Sequence, residues 1–277
     1  MKRVLAHWAA LLAIACIAPT SPASAGGKVG LVLMHGKLGS PLGTTGLTSK
    51  ATPIGRRLVA DLKSAGYLVA APEMCWSGRR GFDKPYEDCL TEIDAAIADL
   101  KARGASAIVV AGLSLGGNAA LAYGATHAGL MGVIAYGPAD DPKSKASRPE
   151  IAAVVAQAER LVADGKGDER TQFDDVNAGP HGIYTMELRT TARIYLSFYG
   201  PKATGDIPAN AAKLTAPLLW IAGDSDPTQR RGRAFAFNDA SANPMNRYVT
   251  VRASHLETPD AGRQATLVWL SDLAKTQ

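Results

Sequence analysis

The chain has 277 residues, 47% of them apolar, with a formal net charge of +5 and only three cysteines. That length and apolar content suit one large domain with a full core, and they exclude a disordered tail or a disulfide-dense miniprotein. Lysines and arginines are interspersed with acids and do not cluster, which excludes the footprint of a nucleic-acid binder or a polybasic membrane patch.

The opening MKRVLAHWAALLAIACIAPTSPASA has a basic tip at Lys2 and Arg3, an apolar run from Trp8 to Ala18, and small residues at Ala23, Ser24 and Ala25. This is the layout of a secretory signal peptide, with cleavage expected after Ala25 and a periplasmic or secreted destination. The apolar run is shorter than the roughly 20 residues a membrane span needs, so no stable span is expected after cleavage. Ala13, Ile14 and Ala15 precede Cys16 without the leucine that a lipoprotein box usually carries three places before its cysteine, which argues against a lipid anchor. Removing residues 1–25 takes away two cations and no acid, lowering the charge from +5 to +3.

The rest of the chain alternates strand and helix signals, predicting an α/β fold with a mostly parallel sheet of about six strands and helices on both faces. Gly27 to Met34 is the first strand. Thr52 and Pro53 then read as an N-cap and first helical residue, with Ile54, Leu58, Val59 and Leu62 on one face and Gly66 closing the helix. Tyr67 to Ala71 is the next strand, and Leu90, Ile93, Ile97 and Leu100 follow at helical spacing before Gly104. From Ala107 a β-branched run enters GLSLG at Gly112 to Gly116, followed by the helical NAALAYGATHAG. Leu130 to Tyr136, Pro217 to Ala222 and Tyr248 to Val251 are three more strands. A last helix starts at Thr258, Pro259 and Asp260, and its Ala265, Val268, Trp269 and Leu273 are expected to cover the sheet. The alternation lapses between Gly137 and Ala216, which predicts a helical cap inserted at about 138–216, with a helix from Ile151 to Ala163 and an apolar run at Tyr195 to Tyr199.

Strand, tight turn and helix around G-x-S-x-G form the setting in which a serine is held at the end of a strand as a nucleophile, with Gly112 and Gly116 leaving room for the crowded backbone. The alternative is a glycine turn with Ser114 capping the helix. Together with HGKLGS at His35 to Ser40, GDSDP at Gly223 to Pro227 and SH at Ser254 and His255, this stretch resembles the α/β-hydrolase superfamily over most of residues 27–275. The order Ser, Asp, His, each just past a strand, is the order of that family's triad. The chain resembles a compact member lacking two early strands, with one hydrolase domain over 26–277.

The resemblance implies an esterase- or lipase-like serine hydrolase: Ser114 attacks an acyl carbon, His255 carries the proton, and water releases the acyl-enzyme. Of the four histidines left after signal removal, His255 alone follows the last strand. The acid is Asp224 or Asp226, and the family spacing selects Asp226; turn formation or N-capping is the structural alternative for either. By family pattern the oxyanion hole takes the backbone N–H groups of Leu115 and Lys37. A charged side chain at Lys37 departs from the apolar residue common in lipases. A serine nucleophile argues against epoxide opening and halide displacement, and no zinc spacing, phosphate loop or dinucleotide fingerprint is present. No cofactor or metal is therefore expected, and the partner is a small-molecule acyl substrate.

Trp76, Arg79, Arg80 and His181 are candidates for contacting substrate, against surface packing or salt bridging as the commoner fate of such residues. Ester, thioester and peptide bonds all stay open, as does a non-catalytic binding protein that kept the fold. Cys75 and Cys89 are the only cysteines left after signal removal, and an even pair in an exported protein predicts a disulfide. That bond would pin a loop expected to border the cleft holding Ser114.

Overall fold

The computed structural model describes residues 28–41, 54–179 and 182–276. The signal-peptide expectation over 1–25, the cap at Thr52 and Pro53, and His181 all lie outside the described residues.

Six strands form one wholly parallel sheet: β1 (Lys28–Met34), β2 (Leu68–Ala70), β3 (Ala105–Leu113), β4 (Gly132–Tyr136), β7 (Leu218–Gly223) and β8 (Arg247–Val251). Their order across the sheet is β2-β1-β3-β4-β7-β8. The apolar runs read as strands because both faces are covered, so both sets of alternating side chains must be apolar. Leu31, Leu33, Val109 and Ala111 enter the core on one face, beneath α1 (Arg56–Ser64) and α9 (Arg263–Ala274). Val32, Met34, Ile108 and Val110 enter the other, beneath α2 (Tyr86–Ala102) and α3 (Leu115–Thr126). All six predicted strands are present within a few residues of their expected bounds.

Chain progression moves outward from β1 to β2, then returns past β1 to β3 and on to β8. Ligands bind beyond the carboxyl ends of parallel strands where that direction reverses, here between β1 and β3. The loops after these two strands are HGKLG and the turn at Ser114, so the topology alone brings the two motifs together.

The stretch between β4 and β7 is not purely helical. It carries α4 (Pro142–Ala146), α5 (Pro149–Ala163), α6 (Ala192–Tyr199) and α7 (Ile207–Ala211), but also a hairpin of two ten-residue strands, β5 (Arg170–Gly179) and β6 (Gly182–Thr191). The polar sequence hides the hairpin because one inward position is a charged Asp175, fully buried in place of an apolar residue. The C-terminal helix also differs from its expected form. It is divided into α8 (Thr258–Ala261) and α9, and Val268 is 51% exposed while Leu270 is buried beside Trp269 and Leu273. With Thr266 and Leu273 facing inward, a helix of 3.6 residues per turn puts 269 and 270 on the same face and turns 268 outward.

Candidate active site

Ser114 joins β3 to α3 with φ +58° and ψ −118°, a backbone region that residues with a β-carbon rarely occupy. Neighbouring strands hold it there: its N–H donates to the Tyr136 carbonyl at 3.0 Å, and its own carbonyl accepts from Asn118 and Ala139. The flanking glycines are required by contact. A β-carbon on Gly116 would lie 2.5 Å from the Met34 carbonyl oxygen, and one on Gly112 would lie 2.2 Å from the Gly116 carbonyl. Ser114 is thus held by its surroundings in a turn that its own preferences disfavour.

His255 follows β8 and Asp226 follows β7. Asp226 Oδ2 accepts from His255 Nδ1 at 2.6 Å, while its Oδ1 accepts from the Thr228 N–H at 2.9 Å and the Thr228 hydroxyl at 2.8 Å. Both carboxylate oxygens are fixed, and the proton held on Nδ1 leaves Nε2 as the free acceptor of the ring. The close fit needs Gly137, whose β-carbon would fall 2.8 Å from Asp226 Oδ2. Asp224 instead accepts from the Ala253 N–H at 3.2 Å and the Ser225 hydroxyl at 3.0 Å, stitching the ends of β7 and β8 together. The expected acid and base meet, and the alternative acid is engaged elsewhere.

Ser114 and His255 line a cavity of about 880 Å³ together with Gly36, Lys37 and Thr228. A second cavity of about 600 Å³ shares Gly36, Lys37, Met186 and Leu256 with it and extends along Gly78 to Phe82. Gly36 brings the HGKLG turn against Ser114: a β-carbon there would sit 3.2 Å from Ser114 Cβ. Leu115 is the first residue of α3, where a helix leaves its N–H groups without intrahelical partners. Lys37 lines the cavity with Ser114, and Leu115 follows Ser114 directly in the chain.

The Lys37 side chain has a role its sequence does not announce. Its ammonium is buried against Asp140 at 2.6 Å, Asp175, and the Asn177 amide oxygen at 2.8 Å. Lys145 completes the cluster, 3.0 Å from Asp140 and in contact with Asp175. Burial works against the Lys37 ammonium, but the two carboxylates outweigh it and hold its pKa above the ordinary lysine value. Burial likewise disfavours the Asp140 and Asp175 carboxylates, and the two lysines overcome this and hold both below the usual range. The turn after β1, the end of β4, α4 and β5 are joined through this one cluster.

His35 is also fully buried. Its Nε2 accepts from the Met74 N–H at 3.2 Å, so the ring proton sits on Nδ1, 2.8 Å from the Gly36 carbonyl. Burial lowers its pKa to about 4, leaving a neutral imidazole as a strut between the HGKLG turn and residue 74.

The disulfide between Cys75 and Cys89 is present, with Cα atoms 5.6 Å apart. Its loop pairs with the HGKLG turn: the Leu38 N–H donates to the Trp76 carbonyl at 2.9 Å and the Gly78 N–H to the Gly39 carbonyl at 3.0 Å. Trp76 does not reach the cleft. It is 0% exposed, packs edge-on against His35 and Phe198, and donates from Nε1 to the His35 carbonyl at 3.0 Å. An indole that is fully buried with its N–H satisfied is a core residue, so its expected substrate contact is corrected. Arg79 pairs with Glu73, and Arg80 with Asp83 and Glu92, although both border the second cavity. Thr228, Asn118 and the partners of Lys37 escaped the sequence reading. A Thr directly after Asp-Pro, two residues past the Asp, was a usable signal, since that spacing lets its N–H and hydroxyl clamp the carboxylate.

Among the described residues no cluster of His, Cys, Asp or Glu could hold a metal ion, and no helix is long and apolar enough to cross a membrane.

Solved structures with this fold include a lipolytic enzyme of the metagenome-derived LipS and LipT pair, at TM-score 0.61 and 18% identity, covering 91% of this chain and 95% of that one. A monoacylglycerol lipase from Paleococcus ferrophilus aligns at TM-score 0.57 and 21% identity, covering 90% and 95%. Est1E from Butyrivibrio proteoclasticus, bound to ferulic acid, aligns at TM-score 0.56 and 18% identity, covering 87% and 89%. No curated protein matches the sequence. The Hydrolase_4 family, described as serine aminopeptidase S33, matches residues 46–255, well over half the chain, and the protein belongs to this family of α/β-hydrolases.

Proposed function

We propose that the protein is an exported serine hydrolase that cleaves a carboxylic ester through Ser114, His255 and Asp226 and an acyl-enzyme. The observation that carries this reading is a strained Ser114 facing the same cavity as a histidine whose Nδ1 is fixed by a buried aspartate. Ser114 Oγ attacks the acyl carbon as His255 Nε2 takes its proton. The resulting imidazolium is stabilised by Asp226, and the Lys37 and Leu115 N–H groups receive the charge that develops on the acyl oxygen. His255 then protonates the leaving alcohol, and water repeats the sequence to free the acid and restore Ser114. Export is supported by the signal-like first 25 residues and by the disulfide, which an oxidising compartment would maintain.

The family's description favours a second reading, an aminopeptidase. That activity needs an acceptor for a substrate ammonium, yet Asp140, Asp141 and Asp226 around the nucleophile are already held by lysines, main-chain N–H groups and His255. The lipolytic enzymes and Est1E that share the fold add support for an ester.

The test is turnover of 4-nitrophenyl esters of increasing acyl length beside a thioester and aminoacyl 4-nitroanilides, with fluorophosphonate labelling of Ser114. Ester turnover should dominate, and Ser114→Ala should lose both label and rate. Asp226→Asn should cost about 10⁴ in kcat, the scale set by triad aspartates elsewhere, with Asp224→Asn far milder. Full activity in Ser114→Ala would reject the nucleophile, the reverse aspartate ranking would move the acid, and dominant anilide cleavage would favour the peptidase.

A further inference from the structure

Three guanidinium groups, Arg148, Arg230 and Arg231, line the cavity that holds Ser114 and His255. Among the described residues none of the three has a carboxylate within 4.0 Å, although each borders a cavity that also contains Asp140 and Asp141. The acids nearby are unable to serve them. Asp140 is bound to Lys37 and Lys145, Asp141 accepts from the Ser144 N–H at 2.8 Å and the Ile207 N–H at 2.9 Å, and Asp226 holds His255. With Lys37 and Lys145 offset by Asp140 and Asp175, the three guanidinium groups still outnumber the remaining carboxylates, Asp141 and Asp226, and the net charge on this wall is positive.

Two of the arginines are oriented. Arg148 donates to the Val176 carbonyl at 3.2 Å. Arg231 donates to the Ser144 hydroxyl at 2.8 Å and lies over the Phe235 ring with its guanidinium carbon 3.6 Å from the centroid. Stacking fixes the plane of a guanidinium and leaves its remaining N–H groups directed outward, a fork that matches a carboxylate. A cleft walled by one sign of charge also concentrates ligands of the opposite sign.

We propose that this cavity selects esters that carry a free carboxylate, such as monoesters of dicarboxylic acids, with Arg231 and Arg148 as the carboxylate-binding residues. The inference rests on the ester-hydrolase reading and narrows its substrate class. The carboxylate could enter on the acyl part or on the alcohol part, and the chemistry that recognises it is the same.

The experiment compares kcat/KM within two matched pairs. Mono-4-nitrophenyl glutarate against 4-nitrophenyl valerate places the carboxylate on the acyl part, and 4-(carboxymethyl)phenyl butyrate against 4-ethylphenyl butyrate places it on the alcohol. The anionic member should win by tenfold or more in one pair, which identifies the side, and the advantage should shrink in 0.5 M salt. Arg231→Gln and Arg148→Gln should each lower that ratio by about tenfold, a readout internal to each variant and insensitive to a general loss of active protein. Neutral esters turned over as well as or better than anionic ones in both pairs would overturn the inference and leave the hydrolase standing. If neither kind is turned over, calorimetric titration with monomethyl glutarate decides the matter: binding weakened tenfold by Arg231→Gln supports the anion site, and no binding refutes it.

Discussion

Lys37→Met is the sharpest probe of how the HGKLG turn is held. The substitution keeps the backbone N–H and roughly the stem length, and removes only the ammonium. Three partners lose a donor: Asp140, Asp175 and Asn177. Their charge-assisted hydrogen bonds are worth about 1.5–3 kcal/mol each to a charged group. Against this, the variant no longer has to desolvate an ammonium, which offsets several kcal/mol. Lys145 also remains, and without Lys37 beside it loses a like-charge repulsion that, after burial, is the main influence lowering its pKa. The balance is a net loss of about 3–5 kcal/mol, the range for removing one partner from a buried ion pair. For a domain whose total stability is about 5–15 kcal/mol, that is a large share.

The double variant Lys37→Met with Asp175→Asn removes one charge of each sign and leaves Lys145 paired with Asp140 at 3.0 Å. It should recover about 2 kcal/mol relative to the sum of the single changes, within the usual coupling for residues in one network. Urea denaturation at pH 7 reads both quantities, and steady-state rates taken well below the unfolding midpoint read the effect on catalysis. In Lys37→Met kcat should fall more than KM changes if, as proposed, the Lys37 N–H it repositions receives charge that develops only in the transition state. A stability loss under about 1 kcal/mol, or additive single changes, would mean that water reaches and screens the cluster, and the energetic reasoning would fail.

The two remaining predictions concern the same turn. His35 has a folded pKa of about 4 against the ordinary 6.5, so it stays neutral when folded while the unfolded chain takes up a proton. Its contribution is therefore fully present above pH 6.5 and declines as pH falls towards 4, by about 3 kcal/mol at 1.36 kcal/mol per unit. Urea midpoints across pH 7 to 4 should follow that slope and flatten in His35→Gln; an unchanged slope in the variant would assign the effect elsewhere. Reduction of the Cys75 to Cys89 bond should lower stability by roughly 3 kcal/mol in the chain-entropy model, and should cut kcat before the domain unfolds, because Trp76 and Gly78 in that loop pair with Leu38 and Gly39. Peptide mapping of the non-reduced protein should give the linked pair, while two alkylatable thiols, or full activity after reduction, would contradict it.

What could be read from the chain was encoded within short windows. Alternating apolar residues specify strands buried on both faces, and GLSLG after such a strand specifies the turn at Ser114, because every contact that turn requires lies within a few residues or on the adjacent strand. The hairpin β5 to β6 was not legible for the opposite reason. Asp175 occupies an inward position whose charge is balanced by Lys37 and Lys145, one of them 138 residues away in sequence, so the alternation that signals a strand is broken by a partner no local pattern contains. Trp76 misled similarly: a tryptophan beside two arginines at a strand end looks like a cleft residue until the His35 carbonyl is found to accept its indole N–H.

Asp226 shows how one residue can satisfy a local and a distant requirement together. Asp followed by Pro and Thr is a capping sequence, and Oδ1 does cap the short 3₁₀ turn of residues 227–229 through the Thr228 N–H. The structural and the chemical readings of this aspartate are therefore not rivals. Capping uses one oxygen and fixes the carboxylate plane, and the second oxygen is thereby aimed at His255 Nδ1 with little freedom left to lose. Asp224, two residues earlier, has its Oδ1 taken by the Ala253 N–H, so it holds the loop that carries His255 without touching the ring. The two aspartates divide the work between building the loop and orienting the histidine ring.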